Sequence, residues 1–125
     1  MKEDQHISLY KSEDGSVSFD VNIDEESVWL TQKQIAELFE KDAKTISRHI
    51  INLFKEGTLE KETTVSNFEI VQKEGYREVI RKVDHYNLDV IISIGYRVKS
   101  QKGFHFKQWA EACNHKSLKS SRKTK

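Results

Sequence analysis

The side chains best suited to binding chemistry lie between Thr31 and Gly57. Four of them fall close together in the second half of this stretch: Lys44, Thr45, Ser47 and Arg48. Lysine and arginine bind phosphate, arginine can also donate two hydrogen bonds to guanine O6 and N7, and hydroxyl groups can reach bases or phosphates. This combination of residue types predicts binding to DNA.

Two short helices are expected to position these side chains. Thr31 with Gln34 three residues later fits a capping box, and Asp42 is a second N-cap. Apolar residues recur at helical spacing behind both caps: Ile35, Leu38 and Phe39 in the first helix, and Ile46, Ile50, Leu53 and Phe54 in the second. Two helices joined by a short turn form the helix-turn-helix layout, whose second helix lies in the DNA major groove.

The charge of this segment distinguishes DNA binding from a merely solvated helical hairpin. Residues 41–55 hold four basic residues and one acid, and there is no acid between Ala43 and Lys55. A solvated hairpin would mix glutamate and lysine along its outer face. Against the helix-turn-helix interpretation, Glu40 stands in the turn where glycine is often found. A plain structural hairpin therefore remains the alternative.

Strand patterns occur on both sides of the helix pair. An Asp14-Gly15 turn separates the first two, and Lys73-Glu74-Gly75 separates the last two. The β-like runs are His6–Tyr10, Val17–Ile23, Val28–Leu30, Val65–Val71 and Tyr76–Val83. A hairpin directly after a helix-turn-helix occupies the place of the wing in winged-helix domains, so Lys73 and Arg77 are predicted to lie near phosphates. A plain packing hairpin is the alternative.

Two further helices are expected near the C-terminus. The β-branched residues of Leu88–Tyr96 would also suit a strand. A helix is favoured, because Asn87 is a good N-cap, Leu88, Ile91, Ile92 and Gly95 share a helical face, and Gly95 can end a helix. Phe106, Trp109, Ala110 and Cys113 form the apolar stripe of the last helix. The pattern as a whole predicts an α+β fold: a winged helix-turn-helix-like domain over residues 1–115, with a small N-terminal antiparallel β-element and C-terminal helices, and a basic, disordered tail over residues 116–125.

The apolar faces of these elements have no partner other than each other. They predict one core that contains Trp29, Leu38, Phe39, Ile46, Ile50, Leu53 and Ile91. At the start of the first helix, Gln32 and Lys33 are expected to hold phosphate, because side chains and free N–H groups there can fix a nucleic-acid backbone. The predicted DNA-binding residues are therefore Gln32, Lys33, Lys44, Thr45, Ser47, Arg48, Lys73 and Arg77.

Composition limits the remaining classes of function. The 125 residues carry a net charge of +1, with nine bases and a single acid after residue 96. No apolar run is long enough to span a membrane, and the N-terminus lacks the features of a signal peptide, so a cytoplasmic protein is expected. Nucleotide-binding and hydrolase motifs are absent. We therefore expect that the protein is not an enzyme and binds no cofactor. Cys113 and His115 point apart on a helix, so no metal site is expected.

Two long motifs carry a family resemblance: VWLTQKQIAELFEKDAKTISRHIINLFKEG and HYNLDVIISIGYRVKSQKGFHFKQWA. Through them, roughly residues 7–110 resemble the bacterial virulence protein RhuM family. The resemblance implies a DNA-binding protein without established enzymatic activity, often encoded beside type I restriction-modification or mobile-element genes. The family usually continues with a longer amphipathic helix, where this chain has EACNHKSLKSSRKTK, so the resemblance implies the N-terminal domain of a truncated or rearranged member.

The sequence thus predicts a sequence-specific DNA-binding protein, a transcriptional or restriction-associated regulator, with double-stranded DNA as its partner. The alternative is a protein-interaction or assembly module, built on an exposed patch of Phe104, Phe106 and Trp109. A non-catalytic subunit of a nuclease system is a variant of that alternative. Homo-oligomerisation and a protein partner both stay open.

Overall fold

The computed structural model describes the backbone of residues 6–122 and the side chains of residues 6–113. The final helix runs to Arg122 and so includes part of the predicted tail. Residues 123–125, and all the side chains of that tail, lie outside the described part. The predicted boundary at residue 115 therefore stays a prediction.

The described chain is an α+β fold, as predicted. Its strands are β1 (His6–Lys11), β2 (Ser18–Ile23), β3 (Val28–Thr31), β4 (Val65–Glu74) and β5 (Arg77–Asn87). Its helices are α1 (Gln32–Phe39), α2 (Ala43–Lys55), α3 (Lys61–Thr64), α4 (Leu88–Arg97) and α5 (Lys102–Arg122).

All five strands join one antiparallel sheet in the order β1-β2-β3-β5-β4. The β3 strand leads directly into α1 and pairs with β5, with Leu30 opposite Tyr86. The N-terminal strands are therefore not a separate β-element. They continue the sheet that contains the later hairpin, and the helix pair grows from the middle of that sheet.

The predicted helix caps are confirmed. Thr31 and Gln34 form both hydrogen bonds of a capping box at the start of α1. The Asp42 carboxylate accepts a hydrogen bond from the Thr45 N–H at 3.0 Å, and Asn87 caps α4 through the Val90 N–H. Side-chain acceptors thus satisfy otherwise unpaired N–H groups at three helix starts, which fixes where each helix begins.

One side of the sheet packs against α1, α4 and α5, and α2 packs against α1 and α4 to complete the main core. The seven residues predicted for the core are all buried. Trp29, however, lies outside the main cluster. It packs edge-to-face on Phe68 at 5.8 Å, and its indole N–H donates to Asp24 at 2.9 Å. Because alternate residues of β3 point to opposite faces, Trp29 anchors the hairpin on the far side of the sheet.

The expectation that Gly95 ends its helix is wrong. Helix α4 continues to Arg97, and Lys99 takes the left-handed conformation that follows it. Gly95 instead allows a close approach, because a Cβ there would lie 3.2 Å from Cζ of Phe39. The inward face of α4 is accordingly Val90, Ile91, Ile94 and Gly95, while Leu88 and Ile92 are only half-buried.

Candidate nucleic-acid interface

The turn between α1 and α2 is tight although it contains no glycine. Glu40 takes the left-handed conformation, with φ 57° and ψ 45°, and the Lys41 N–H donates to the Ala36 carbonyl at 3.0 Å. A left-handed backbone is unfavourable for an L-residue with a side chain. The Glu40 carboxylate forms an ion pair with Lys102 of α5 at 3.0 Å. The turn thus has the backbone geometry for which glycine is usually selected.

Helix α2 has a buried inward face and a mainly polar outward face, on which Ile51 is the exception at 57% exposed. Ile46, Ile50 and Leu53 are buried in the core. On the other side Lys44 and Arg48 are exposed, and Thr45 and Ser47 are half-buried beside them. The sequence therefore predicted correctly that these four side chains share the outer surface of the N-terminal part of α2, which we call the α2 surface.

In the described part of the chain the basic side chains of the α2 surface form no ion pairs. The neighbouring acid is the N-cap Asp42, whose pKa is lowered by hydrogen bonds from Thr45 and further by the charge of Arg48. Among residues 6–113, neither Lys44 nor Arg48 forms a salt bridge, and the same holds for Lys33 and Lys41. Elsewhere in the described chain arginines do form salt bridges, as Arg97 does with Glu56. The α2 surface therefore has uncompensated charge with which to attract an anion.

His49 borders this surface and is half-buried. Its pKa is lowered, first by burial and then by the positive charges of Arg97, Arg48 and Lys41. Both effects disfavour the protonated ring. His49 is therefore less suited than a lysine or an arginine to pair with phosphate.

Gln32 and Lys33 have different surroundings. The Gln32 side-chain amide donates to the Ala43 carbonyl at 3.0 Å, which ties the start of α1 to the first residue of α2. Lys33 is exposed and borders a groove of about 1000 Å³ between α1, the sheet and the hairpin. Glu37, Glu69 and Asp84 line the same groove. Because these acids would repel phosphate, the groove is a poor binding site for a polyanion.

The predicted hairpin residues are brought together, but each lies opposite an acid. Lys73 pairs across the strands with Glu78, and Arg77 pairs with Glu74. The Glu74 carboxylate also accepts two hydrogen bonds from Arg81, both at 3.0 Å. Residues 65–87 contain four bases and four acids in total. The hairpin is therefore locally neutral, unlike the α2 surface.

The described side chains contain no group of three or more potential metal ligands. Cys113 is half-buried and packs against the core, whereas the side chain of His115 lies outside the described part. His85 is only 2% exposed; its Nδ1 lies 2.8 Å from the Val83 carbonyl and its Nε2 lies 3.2 Å from the Asn22 amide. Burial lowers the pKa of His85. It occupies a structural position in the sheet.

The predicted aromatic patch on α5 is not a patch. Phe106 is fully buried, and Trp109 is half-buried against the ring of Tyr10 at 5.1 Å. Of the three aromatics, Phe104 alone is exposed, at 65%. Phe106 and Trp109 pack against Tyr10 of β1. Sequence periodicity alone does not place β1 beside α5.

Sequence reasoning missed an exposed apolar pair on the hairpin. Val71 and Ile80 lie directly opposite each other and are 63% and 66% exposed. The signal was present, because Ile70-Val71 and Val79-Ile80 each put two apolar residues in succession on a strand. Successive residues of a strand point to opposite faces of the sheet, so the two residues of Ile70-Val71, or of Val79-Ile80, cannot both be buried on the same face.

Comparison with known proteins gives one match. No curated protein and no solved structure matches the chain. Among the described residues, no helix combines the length and apolar character needed to cross a bilayer. A family model matches residues 63–119, from α3 through most of α5; helices α1 and α2 lie outside it. The match continues past Ala110, so the expected departure from the family after that residue is wrong as far as residue 119. That model is the virulence protein RhuM family, so the resemblance predicted from the sequence is confirmed for this part of the chain.

Proposed function

We propose that this virulence-associated chain binds double-stranded DNA, with the N-terminal half of α2 in the major groove. The observation that carries the proposal is the α2 surface. Lys44 and Arg48 are exposed there, no acid of α2 lies between them, and within the described side chains neither forms a salt bridge. A rigid helix that presents free basic and hydroxyl groups suits the width and potential of that groove.

The sheet supports a winged-helix arrangement of this interface. The strand that enters α1 pairs with β5, and β5 pairs with β4, so the hairpin is attached to the helix pair through backbone hydrogen bonds. We assign the hairpin a positioning role, because Lys73 and Arg77 each face an acid. Their contribution to phosphate binding is correspondingly small.

Individual roles follow from the surroundings of each side chain. Arg48 is exposed and can donate to guanine O6 and N7, with Thr45 and Ser47 beside it for bases or phosphates. Lys44 and Lys33 contribute contacts to the backbone that do not depend on sequence. Gln32 is assigned to hold α2 in place through Ala43, instead of the direct phosphate contact predicted from sequence. The proposal is binding alone, with no catalytic step and no cofactor.

The test is DNA binding by the purified chain at two salt concentrations, with random and genomic fragments, followed by fluorescence anisotropy. We expect Arg48→Ala to cost about 1–3 kcal/mol on the preferred site and to relax specificity at one position. Lys33→Ala should weaken all sequences about equally. Lys55→Ala is the matched control, since it removes one charge from the opposite end of α2.

Two results would contradict the proposal. If Arg48→Ala binds every fragment as the parent does, α2 does not read DNA. If Lys55→Ala weakens binding as much as Arg48→Ala does, the interaction depends on net charge and not on the α2 surface. Parent affinity that falls steeply with salt is expected in either case and therefore serves only to show that phosphates are contacted.

A further inference from the structure

Strand β4 is a long edge of the sheet. It runs for ten residues, and within the described part of the chain it pairs with β5 alone. An edge strand presents unpaired backbone N–H and C=O groups on its outer side, which another strand can satisfy. The identity of that strand depends on which residues of β4 face outward.

The hairpin loop identifies the outward-facing residues. Gly75 and Tyr76 form a two-residue loop, so Glu74 and Arg77 are the first and fourth residues of the turn and share its hydrogen bond. Hydrogen-bonded and non-hydrogen-bonded pairs alternate along an antiparallel ladder. Counting back from Glu74, the backbone groups of Lys73, Val71 and Glu69 therefore point away from β5.

The side chains of these three residues share one face of the hairpin, because they are two residues apart. Val71 lies opposite Ile80, and both are mostly exposed. Glu69 lies opposite Lys82 on one side of this apolar pair, and Lys73 lies opposite Glu78 on the other side. On this face an apolar cross-strand pair is thus flanked on each side by a cross-strand pair of one acid and one base.

We propose that β4 pairs antiparallel with β4 of a second copy of this chain, about a two-fold axis at Val71. The outward backbone groups of Glu69, Val71 and Lys73 then meet the same groups of the second copy. Val71 faces Val71, and Glu69 of each copy faces Lys73 of the other. Ile80 extends the apolar row on both sides, and charges alternate in sign along both flanking rows.

Charge complementarity selects this register over its neighbours. An axis at Glu69 would set two glutamates opposite each other, and an axis at Lys73 would set two lysines opposite each other; like charges in these positions are destabilising. An axis at Ile70 would put Val71 opposite Glu69. The register at Val71 alone among these pairs apolar with apolar and acid with base.

The inference does not depend on DNA binding, since it uses only the hairpin. If both hold, one two-fold axis would relate two α2 surfaces, as in proteins that bind two half-sites. The tests remain separable, because Glu69, Val71 and Lys73 are not part of the α2 surface, and the mass of the assembly is measured without DNA.

The experiment is analytical ultracentrifugation of the full chain over a wide concentration range. The parent should reach the mass of a dimer. Glu69→Lys and Lys73→Glu should each raise the dimer dissociation constant by about tenfold or more, because the symmetry turns two attractive pairs into two repulsive ones. Glu78→Lys is the matched control: it changes the same charge on the same face, one strand away from the axis, and should still dimerise.

The decisive sample is an equimolar mixture of the two variants. In a mixed pair the introduced lysine faces the introduced glutamate, and the native Lys73 of one chain faces the native Glu69 of the other, so dimers should return. A defect confined to each hairpin would not be repaired by mixing. The proposal is overturned by a monomeric parent, by variants that dimerise as the parent does, or by a mixture that stays monomeric. A monomeric parent would mean that this edge takes a different strand or none.

Discussion

The α2 surface and the β4–β5 hairpin are both exposed and both rich in basic residues, yet their electrostatics differ. Helix α2 carries Lys44, Arg48 and Lys55 with no acid among its thirteen residues. The hairpin carries as many acids as bases, and its register sets Lys73 against Glu78 and Arg77 against Glu74. Counting basic residues along the sequence would rank the hairpin first, whereas the folded surface ranks it second.

The difference extends to the apolar residues. Ile46, Ile50 and Leu53 of α2 are buried in the core, so its exposed face is mainly polar, with Ile51 as the exposed apolar residue. On the hairpin Val71 and Ile80 are mostly exposed, between cross-strand pairs of opposite charge. A polyanion is attracted to free positive charge, whereas a strand is attracted to apolar residues and unpaired backbone. The two surfaces therefore suit different partners.

The largest expected effect concerns a core contact among α1, α4 and α5. Phe39 at the end of α1 is buried and lies beside Gly95 of α4 and Gly103 of α5. Phe39→Ala should lower the free energy of unfolding by about 3–5 kcal/mol, because it leaves a cavity where three helices meet. Urea unfolding followed by tryptophan fluorescence and by helical circular dichroism would measure the loss.

Phe104→Ala is the matched control for that change, since the same atoms are removed from an exposed position on α5. Its effect should stay within about 0.5 kcal/mol. The fluorescence and helical transitions of the Phe39 variant should coincide. Separate transitions would mean that the helix pair and the hairpin unfold independently, and the comparison would then concern two units instead of one.

The second prediction reverses the same charge on each surface. Arg48→Glu should weaken DNA binding by more than about tenfold, because it places an acid among uncompensated bases. Arg77→Glu should change it by about threefold or less, because Arg77 already faces Glu74. Anisotropy titrations at one salt concentration would compare the two variants directly. An equal loss from both would show that the hairpin contacts phosphate as strongly as α2 does.

Much of the fold follows from local sequence signals. Thr31, Asp42 and Asn87 begin their helices because their side chains accept hydrogen bonds from N–H groups two or three residues later, which is a purely local interaction. The inward faces of α1 and α2 likewise follow from helical spacing. These features include the outward placement of Lys44 and Arg48, so the main part of the candidate site was predictable.

What could not be predicted depends on contacts between distant residues. The pairing of β3 with β5 joins residues more than fifty positions apart, and no local pattern specifies it. The bond from Gln32 to Ala43 and the ion pair from Glu40 to Lys102 exist only once the helices are packed. Gly95 looked like a helix end because its role, an approach to Phe39, is tertiary.

The smallest expected effect concerns Asp42, the acid at the border of the α2 surface. Its pKa is lowered, mainly by hydrogen bonds from the side chain and the N–H of Thr45. A carboxylate whose pKa is lowered in the folded state stabilises the fold at pH values above its ordinary pKa of 3.8. This contribution is lost as the pH falls through the folded-state pKa. Asparagine caps a helix about as well but does not titrate. Asp42→Asn should therefore melt like the parent at neutral pH and lose less stability in acid.

The same substitution removes the negative charge of Asp42 beside Lys44 and Arg48, so it should also raise DNA affinity by about twofold at low salt and less at high salt. Asp89→Asn, in the first turn of α4, makes the identical change far along the chain and should leave affinity unchanged. Melting curves from neutral to acidic pH and binding titrations at two salt concentrations would measure both effects. An affinity that rises equally in the two variants would mean that net charge alone governs binding, and the contrast between α2 and the hairpin would lose its meaning for DNA.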